Sequence, residues 1–317
     1  MLDEHGNGTQ PYRDDLPSVS LIVPTYQRPR QLTACLTALA ALDYPHTRLE
    51  VIVVDDGSAS PPHAIVASFA ERLPVTLHTQ RNAGPAAARN TGASRAEGPF
   101  LAFTDDDCAP APDWLRWLVQ RAAALPDHML GGRAINALRA NPYAAASQAL
   151  VSYLYEYYNF GQGRPSFFTS NNILMPAAHF RAVGGFDTRY PRAAAEDREF
   201  CDRWLRHGLG MTYVPEAVIE HFHALTLRSF WRQHLNYGRG AYHFHQNRAQ
   251  HNHDRVRVEP LRFYLDLVRY PLTAGNGWRS APIAALLLVS QVANVAGYFV
   301  ERAAGLRHRS VKAGVER

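Results

Sequence analysis

Three short apolar runs near the N-terminus, separated by helix-forming stretches, most constrain the fold of this chain. They cover residues 19–24, 49–54 and 100–103. The middle run is almost continuously apolar, which is typical of a parallel strand covered on both faces. Between the first two runs, the apolar side chains of residues 32–39 recur at the spacing of one helix face. Because strand and helix alternate through the first 125 residues, we predict an α/β fold, a doubly wound and mostly parallel sheet with helices on both faces.

Two of these runs end in consecutive carboxylates. Asp55 and Asp56 follow the second run, and Asp105, Asp106 and Asp107 follow the third. In open α/β sheets, ligands bind at the carboxyl ends of the strands. Three adjacent like charges at the end of an apolar strand are costly unless a cation lies beside them. A solvated acidic turn is the alternative, but the recurrence of carboxylates at two strand ends favours a binding site.

Charge is unevenly distributed along the chain. The net charge is +5, of which residues 221–317 carry +9 and residues 1–220 carry −4. A basic C-terminal third can face nucleic acid, an anionic membrane or a phosphorylated substrate. Since no nucleic-acid motif accompanies it, we expect no nucleic-acid partner. Cys35, Cys108 and Cys201 form no C-x-x-C pair, which indicates a reducing compartment without disulfides.

The two ends of the chain differ in character from its middle. Residues 1–17 are polar and lack the apolar segment of a signal peptide, so we expect a disordered tail. Residues 226–317 are predicted to form a helical C-terminal extension. Its longest apolar stretch, 281–300, approaches the roughly 20 residues of a spanning helix but contains three polar side chains. A helix lying on the membrane interface or on a partner is favoured over a span, and a buried helix is the third possibility.

Six motifs, in order and in register, resemble those of family 2 glycosyltransferases of the GT-A fold. They are Val23–Arg28, Val53–Ser58, Asn82–Gly92, Asp105–Asp107, Gly184–Asp187 and Glu196–Asp197. The resemblance covers about residues 18–225. It implies a GT-A glycosyltransferase domain over that range. For residues 226–317, the basic charge and the apolar stretch 281–300 predict instead a helical, membrane-associated region.

For the donor, the resemblance implies a nucleoside diphosphate sugar bound at the ends of the first strands. The expected nucleotide-binding residues are Pro24, Thr25, Tyr26, Asp56, Arg89 and Asp105. Asp56 would accept a hydrogen bond from an N–H group of the base, which suits an ionised carboxylate. Structural alternatives are a turn cap for Thr25 and a surface ion pair for Arg89.

The resemblance also implies that the acidic run holds Mg²⁺ or Mn²⁺. The family's D-x-D motif is placed on Asp105 and Asp107 because Pro112 then lies at the usual offset, and Thr104–Asp106 is the alternative register. Asp107 would bind the cation directly, and Asp105 the ribose or a metal-bound water. Oxygen ligands and phosphate suit these hard cations. The cation would offset the charge that builds on the leaving diphosphate.

The remaining candidates concern the acceptor and the reaction itself. Asp197 matches the family's catalytic base, and Glu196 and Asn172 would contact the acceptor. A carboxylate that only stabilises a helix N-terminus is the alternative for Asp197. His221 and His223 point to the same face of an extended segment and are further candidate metal ligands. The alternative is a pair of surface or core histidines.

Together these features imply an inverting, metal-dependent enzyme that moves a sugar to an acceptor hydroxyl. The expected setting is surface polysaccharide or lipid-linked glycan synthesis at the inner, cytoplasmic face of the cell membrane, with peripheral membrane contact. The alternative is a catalytically inactive GT-A domain that binds sugar nucleotides or acts as a scaffold. A dinucleotide-binding enzyme is disfavoured because no G-x-G-x-x-G follows the first run. The sequence predicts neither the donor sugar, nor its base, nor the acceptor.

Overall fold

A computed structural model describes residues 16–160, 164–190, 194–252, 259–273 and 280–315. The strands are β1 (Val19–Thr25), β2 (Leu49–Asp55), β3 (Val75–Thr79), β4 (Phe100–Thr104), β5 (Cys108–Pro110), β6 (His128–Asn136), β7 (Asn172–Pro176) and β8 (Gly210–His221). The helices are α1 (Pro29–Ala40), α2 (His63–Ala67), α3 (Pro85–Arg95), α4 (Trp114–Ala124), α5 (Pro142–Asn159), α6 (Ala177–Val183), α7 (Glu196–Arg206), α8 (Leu227–Asn252), α9 (Leu261–Pro271) and α10 (Ala281–Val315).

These strands form one sheet in the order β3-β2-β1-β4-β7-β6-β8-β5. Strands β3, β2, β1 and β4 are parallel to one another. Beyond β4 the sheet is mixed, because β7 runs antiparallel to both of its neighbours and β5 runs antiparallel to β8. The predicted α/β class is confirmed, and the parallel character is concentrated in the half of the sheet that carries the acidic strand ends.

Both faces of the parallel half are covered by helices. Leu21 and Val23 of β1 point into a core layer shared with α1 and α4. Ile22 of the same strand points into a second layer with α3, α6 and α7. Since alternate side chains of a strand face opposite sides of the sheet, both sets must be apolar, which explains the nearly continuous apolar runs.

Helix α5 lies in a stretch, 131–170, whose sequence looks irregular. It begins after Asn141, whose side-chain oxygen accepts hydrogen bonds from the backbone N–H groups of Tyr143 and Ala144. Pro142 occupies the first turn, where a missing N–H costs nothing. This N-terminal cap is a readable signal, and the helix that follows it forms one wall of the cavity described below.

The predicted N-terminal tail lies mostly outside the described residues, which begin at residue 16. Leu16 packs against the core layer that contains α1, and the backbone oxygen of Pro17 accepts a hydrogen bond from the hydroxyl of Tyr44. The last two residues of the expected tail are therefore placed against the fold.

The C-terminal helices pack on one another and on α5. Helix α10 is longer than the apolar stretch 281–300 and lies along α8 at very short distance. A Cβ atom on Gly238 of α8 would collide with the backbone oxygen of Asn294, and one on Gly297 with that of Leu235. Only glycine permits such an approach of two backbones. Helix α10 is therefore held on the protein along one of its faces.

Candidate active site

A cavity of about 1130 Å³ opens at the carboxyl ends of β1, β2 and β4. Its opposite walls come from the start of α7, the end of β8 and the helices α5, α8, α9 and α10. The fold brings the following predicted site residues together around it: Pro24, Thr25, Tyr26, Asp56, Arg89, Asp105, Asp107, Glu196, Asp197, His221 and His223. Asn172 is the predicted site residue that does not line it.

Asp56 is fixed by hydrogen bonds at the end of β2. One carboxylate oxygen accepts from the side-chain amide of Gln80 at 2.7 Å and from the backbone N–H of Ala83 at 2.9 Å. The other accepts from the backbone N–H of Gly84 at 2.8 Å. A carboxylate has about four acceptor positions. One therefore remains on the second oxygen.

Arg89 joins the two acidic groups of the cavity. Its Nη2 atom lies 2.6 Å from Asp105, and its Nη1 atom lies 3.4 Å from Glu196. Burial alone would lower the pKa of this guanidinium, but the carboxylates of Asp105 and Glu196 outweigh burial and raise it. Arg89 is thus a buried, permanently charged bridge between the end of β4 and the start of α7.

Asp106, the middle residue of the acidic run, turns towards the loop after β1. It accepts a hydrogen bond from the hydroxyl of Thr25 at 2.7 Å and pairs with Arg28 at 3.1 Å. Burial raises the pKa of Asp106 to about 6, against the opposing charge of Arg28. The hydroxyl of Thr25 is therefore already engaged within the protein.

Asp107 lies between Arg28 and the end of β8. One of its oxygens is 3.0 Å from Arg28 and the other is 3.3 Å from Nε2 of His221. Burial opposes ionisation of Asp107, but His221 and Arg28 outweigh it and hold its pKa well below the usual range. Burial alone would lower the pKa of His221, but the hydrogen bond to Asp107 has the larger effect, so the pKa of His221 is raised.

Two further side chains lie close to this pair. The ring of His223 is 5.0 Å from that of His221, as expected for one face of an extended segment. Burial, with the charge of His221, lowers the pKa of His223 to about 4, so its imidazole is neutral at pH 7. Cys108 is buried, and burial raises the pKa of its thiol well above the usual value. A protonated thiol is a poor ligand for hard cations.

The donor atoms at this position fit Mg²⁺ or Mn²⁺. Ligand atoms of Asp107, Cys108 and His221 lie within 4.8 Å of one another. With the thiol excluded, a carboxylate and an imidazole remain, and phosphate oxygens of a substrate would complete the hard ligand set that these cations prefer. Of the two histidines, His221 is the one that belongs to this group.

Glu196 and Asp197 open helix α7 on the far side of Arg89. Glu196 is buried and accepts a hydrogen bond from the backbone N–H of Ala194 at 2.7 Å. Asp197 is half-buried and accepts from the backbone N–H of Arg198 at 2.8 Å. Burial, with the charge of Asp197, raises the pKa of Glu196 to about 7, and burial also raises the pKa of Asp197. The pair therefore holds a proton near neutral pH, and the more deeply buried Glu196 is the better site for it.

The residue before this pair has an unusual backbone. Ala195 has a φ of 69°, in the left-handed region that non-glycine residues rarely adopt. This conformation costs roughly 1–2 kcal/mol. Strain of this kind is common where a side chain must be aimed at a ligand, and Ala195 immediately precedes the two carboxyl groups that line the cavity.

Asn172 is a correction to the predicted acceptor site. Its side chain is fully buried in β7, where its oxygen accepts from the indole N–H of Trp114 at 2.7 Å and its amide donates to the backbone oxygen of Ala217 at 3.1 Å. Its polar atoms are thus used inside the sheet. The neighbouring Asn171 lines the cavity instead.

Several cavity residues were given no site role from the sequence. Arg28 lies inside the Val23–Arg28 motif, so its position beside the strand end was readable, although its ion pairs were not. The wall formed by helices includes Tyr158, Gln233, Tyr237, Phe263 and Asn294. The spacing of Phe230, His234, Tyr237, Ala241 and Phe244 along α8 is that of a helix face and was a usable signal.

Comparison with known families agrees with this geometry. Residues 20–184 match the model of "Glycosyl transferase family 2", and residues 103–300 match that of "Glycosyl transferase family group 2". The chain belongs to glycosyltransferase family 2. One relative within this similarity is the pre-mycofactocin glycosyltransferase of Mycobacterium tuberculosis, which is 30% identical over 231 residues. That alignment covers 70% of this chain and 46% of the relative, so the chain spans about half of its length.

Solved structures of glycosyltransferases share the fold. The mannosyltransferase PcManGT from Pyrobaculum calidifontis, in complex with GDP-Man and Mn²⁺, has a TM-score of 0.59 and 22% identity, covering 92% of this chain and 81% of its own. Residues 1–349 of S. aureus TarS, in complex with UDP-GlcNAc, have a TM-score of 0.52 and 17% identity, covering 91% and 92%. The predicted GT-A architecture is confirmed by these likenesses.

Proposed function

We propose that this family 2 glycosyltransferase transfers a sugar, with inversion, from a nucleoside diphosphate sugar to an acceptor hydroxyl, with the help of a divalent cation. The observation that carries the proposal is the bridge formed by Arg89. It places the acidic end of β4, suited to a cation and a diphosphate, and the carboxylate pair of α7, suited to a proton, on one cavity.

The donor occupies the side of the cavity formed by β1 and β2. Tyr26 is 44% exposed and offers an aromatic face to the base, next to Pro24 and Thr25. The remaining acceptor position of Asp56 takes an N–H group of the base. Asp105, held by Arg89, faces the ribose. PcManGT and TarS, which share the fold, were solved with GDP-Man and with UDP-GlcNAc.

Asp107 and His221 hold the cation, with His223 as its neutral neighbour. When bound, Mg²⁺ or Mn²⁺ neutralises negative charge on the diphosphate as it leaves. Asp105 contributes a further carboxylate at the edge of this group. The alternative Thr104–Asp106 register is less suitable, because Thr104 is fully buried and Asp106 is engaged by Thr25 and Arg28.

Asp197 is the base of the transfer step. It accepts the proton of the acceptor hydroxyl while that oxygen bonds to the anomeric carbon on the face opposite the diphosphate. The bond between the anomeric carbon and the diphosphate oxygen breaks, and the nucleoside diphosphate leaves with its electron pair. Glu196, protonated near neutral pH, leaves Asp197 ionised for this role and donates a hydrogen bond to the acceptor or to its neighbour.

The acceptor enters from the side covered by helices α5, α8, α9 and α10. Polar side chains such as Gln148, Gln233 and Asn294 alternate there with apolar ones such as Leu154 and Phe263. A wall of this kind suits an acceptor with both polar and apolar parts, such as a lipid-linked glycan. Synthesis of a surface polysaccharide or of such a glycan is the role that we propose.

Helix α10 provides the membrane contact in this proposal. Ala281–Leu306 is long and apolar enough to cross a membrane by length and composition, and 28% of its most apolar part is buried within the protein. Five of its exposed large apolar side chains follow one face of the helix over about five turns. They are Leu288, Val292, Val295, Phe299 and Leu306.

A contact with the membrane surface is favoured over a span. The opposite face of α10 is fixed to α8 through Gly238 and Gly297 and through the ion pair of Arg239 with Glu301 at 2.9 Å. A span would carry α8, with its arginine side chains, into the lipid, which is costly. A basic C-terminal third and an apolar stripe suit instead the anionic inner face of the cell membrane.

The proposal is tested by incubating the purified full chain with a panel of UDP, GDP and dTDP sugars, Mn²⁺ and membrane-derived acceptors. We expect nucleoside diphosphate release coupled to glycosylation, with an inverted anomeric configuration by NMR. Asp197→Asn should lower kcat by about 10²–10⁴-fold while donor binding persists. Asp202→Asn, on the same helix but outside the cavity, is the matched control. Donor binding without any turnover would support the scaffold alternative.

A further inference from the structure

Arg28 is the arginine that pairs with Asp106 and Asp107 of the acidic run. It lies in the turn between β1 and α1, and its Nη1 atom is 3.1 Å from Asp106 and 3.0 Å from Asp107. The resemblance that identified the other site residues assigns it no role. Its guanidinium supplies positive charge where two adjacent carboxylates would otherwise repel each other.

The two arginines that pair with the acidic run differ in how firmly they are held. Arg89 is 3% exposed and bridges Asp105 to Glu196, so it cannot move without opening two buried pairs. The side chain of Arg28 is 46% exposed and reaches Asp106 and Asp107 from the solvent side. A long, half-exposed side chain with exposed routes away from its partners can change position at small cost.

The guanidinium of Arg28 lies where it would repel a divalent cation bound to Asp107. The oxygens of Asp107 face Arg28 on one side and His221 on the other. A divalent ion held by Asp107 and His221 therefore lies close to the guanidinium, and like charges at such short range repel strongly in a partly buried site. The two cations compete for the same carboxylate.

We propose that Arg28 is the counter-ion of Asp106 and Asp107 before the divalent cation binds. When the cation binds, the guanidinium of Arg28 leaves Asp107 and donates hydrogen bonds to the diphosphate of the donor. This inference rests on the proposed function. Arg28 remains within reach of Asp106 after the exchange, so its N–H groups stay on the donor side of the cavity. Release of Arg28 couples cation binding to diphosphate binding.

Binding of Mn²⁺ alone, measured from the electron paramagnetic resonance signal of the free ion, tests this. Without nucleotide, Arg28→Gln should bind Mn²⁺ about tenfold more tightly than the unaltered chain. A neighbouring positive charge that changes a binding constant by about tenfold has the same energy as a shift of one pKa unit. The same variant should bind UDP or GDP in the presence of Mn²⁺ more weakly. Arg30→Gln, an exposed neighbour on α1, is the control and should change neither constant.

Unchanged or weaker Mn²⁺ binding by Arg28→Gln would overturn the role of Arg28 and leave the proposed function intact. Failure of the unaltered chain to bind any divalent cation would overturn both. If Arg28→Gln does not fold, the unaltered chain labelled with ¹⁵N-arginine provides a second measurement, with Arg28→Lys to assign the signals. Saturating Mg²⁺ should bring the separate Nη resonances of Arg28 closer together as its ion pair with Asp107 is released, and resonances whose separation does not change would contradict the proposal.

Discussion

The Nη2 atom of Arg89 lies 2.6 Å from Asp105, and the same guanidinium reaches Glu196 at 3.4 Å. Removal of this charge would leave two carboxylates without their buried partner. We therefore expect Arg89→Met to lower the free energy of unfolding by about 3–5 kcal/mol and to abolish donor binding. Urea denaturation measures the first effect.

A matched control for Arg89 is Arg116, which pairs with the exposed Asp43 at 2.8 Å. Arg116→Met should cost no more than about 1 kcal/mol, as for other surface pairs. If both variants lose the same stability, Arg89 does not have the bridging role described here.

The raised pKa of Glu196 predicts a pH dependence of stability. Its value of about 7 in the folded protein lies above the ordinary 4.5, because of burial and the charge of Asp197. Between these values the folded state binds more protons than the unfolded state, so the free energy of unfolding falls as pH rises from about 4.5 to 7. The shift corresponds to at most about 3 kcal/mol.

Denaturation curves at several pH values check this. Glu196→Gln carries no titratable proton and should lose most of the decrease in stability over that pH range. A variant that keeps the full slope would show that Glu196 titrates as in the unfolded chain.

The apolar stripe of α10 predicts binding to anionic membranes. Replacing Leu288 and Val292 with Glu removes two exposed apolar side chains and adds negative charge, while leaving the packed face intact. Since a buried apolar side chain contributes roughly 2 kcal/mol, vesicle binding should fall at least tenfold. Sedimentation with phosphatidylglycerol and phosphatidylcholine vesicles measures it.

The control for that experiment adds equal charge elsewhere. Ala34→Glu with Thr37→Glu alters exposed positions of α1 and should leave vesicle binding within a fewfold. Deletion of residues 260–317 is a poorer test, because Phe263, Leu267 and Leu287 are buried against α5. Equal binding of the α10 variant and the unaltered chain would remove α10 from the membrane contact.

The acidic strand ends were predictable because their position follows from local patterning. Asp56 and Asp105 come directly after apolar strands, and parallel strands place their carboxyl ends at one edge of the sheet. Asn172 shows the limit of that reasoning. Neighbouring residues of an extended segment point to opposite faces. Asn171 therefore lines the cavity, while the side chain of Asn172 forms hydrogen bonds with Trp114 and Ala217.

The helical wall of the cavity could not be predicted, and the reason differs from that for Asn172. The inner face of α8 mixes apolar and polar side chains such as Phe230, His234 and Tyr237, whose spacing indicates a helix but not where that helix packs. Its position depends on long-range contacts, above all the approach of Gly238 to α10. Such contacts are set by tertiary packing and leave little trace in local sequence.

The cation that we propose at Asp107 is the feature on which the proposed reaction depends most directly. Calorimetric titration of UDP and GDP into the full chain, with Mn²⁺ or with EDTA, measures its contribution. We expect one nucleotide to bind with Mn²⁺ and little or none to bind with EDTA. Asp107→Asn should bind nucleotide about hundredfold more weakly, because it loses the charge-assisted contact between the carboxylate and the cation. Asp113→Asn, at an exposed residue just before α4, should bind normally. Equal nucleotide affinity with Mn²⁺, with EDTA and in Asp107→Asn would contradict this account.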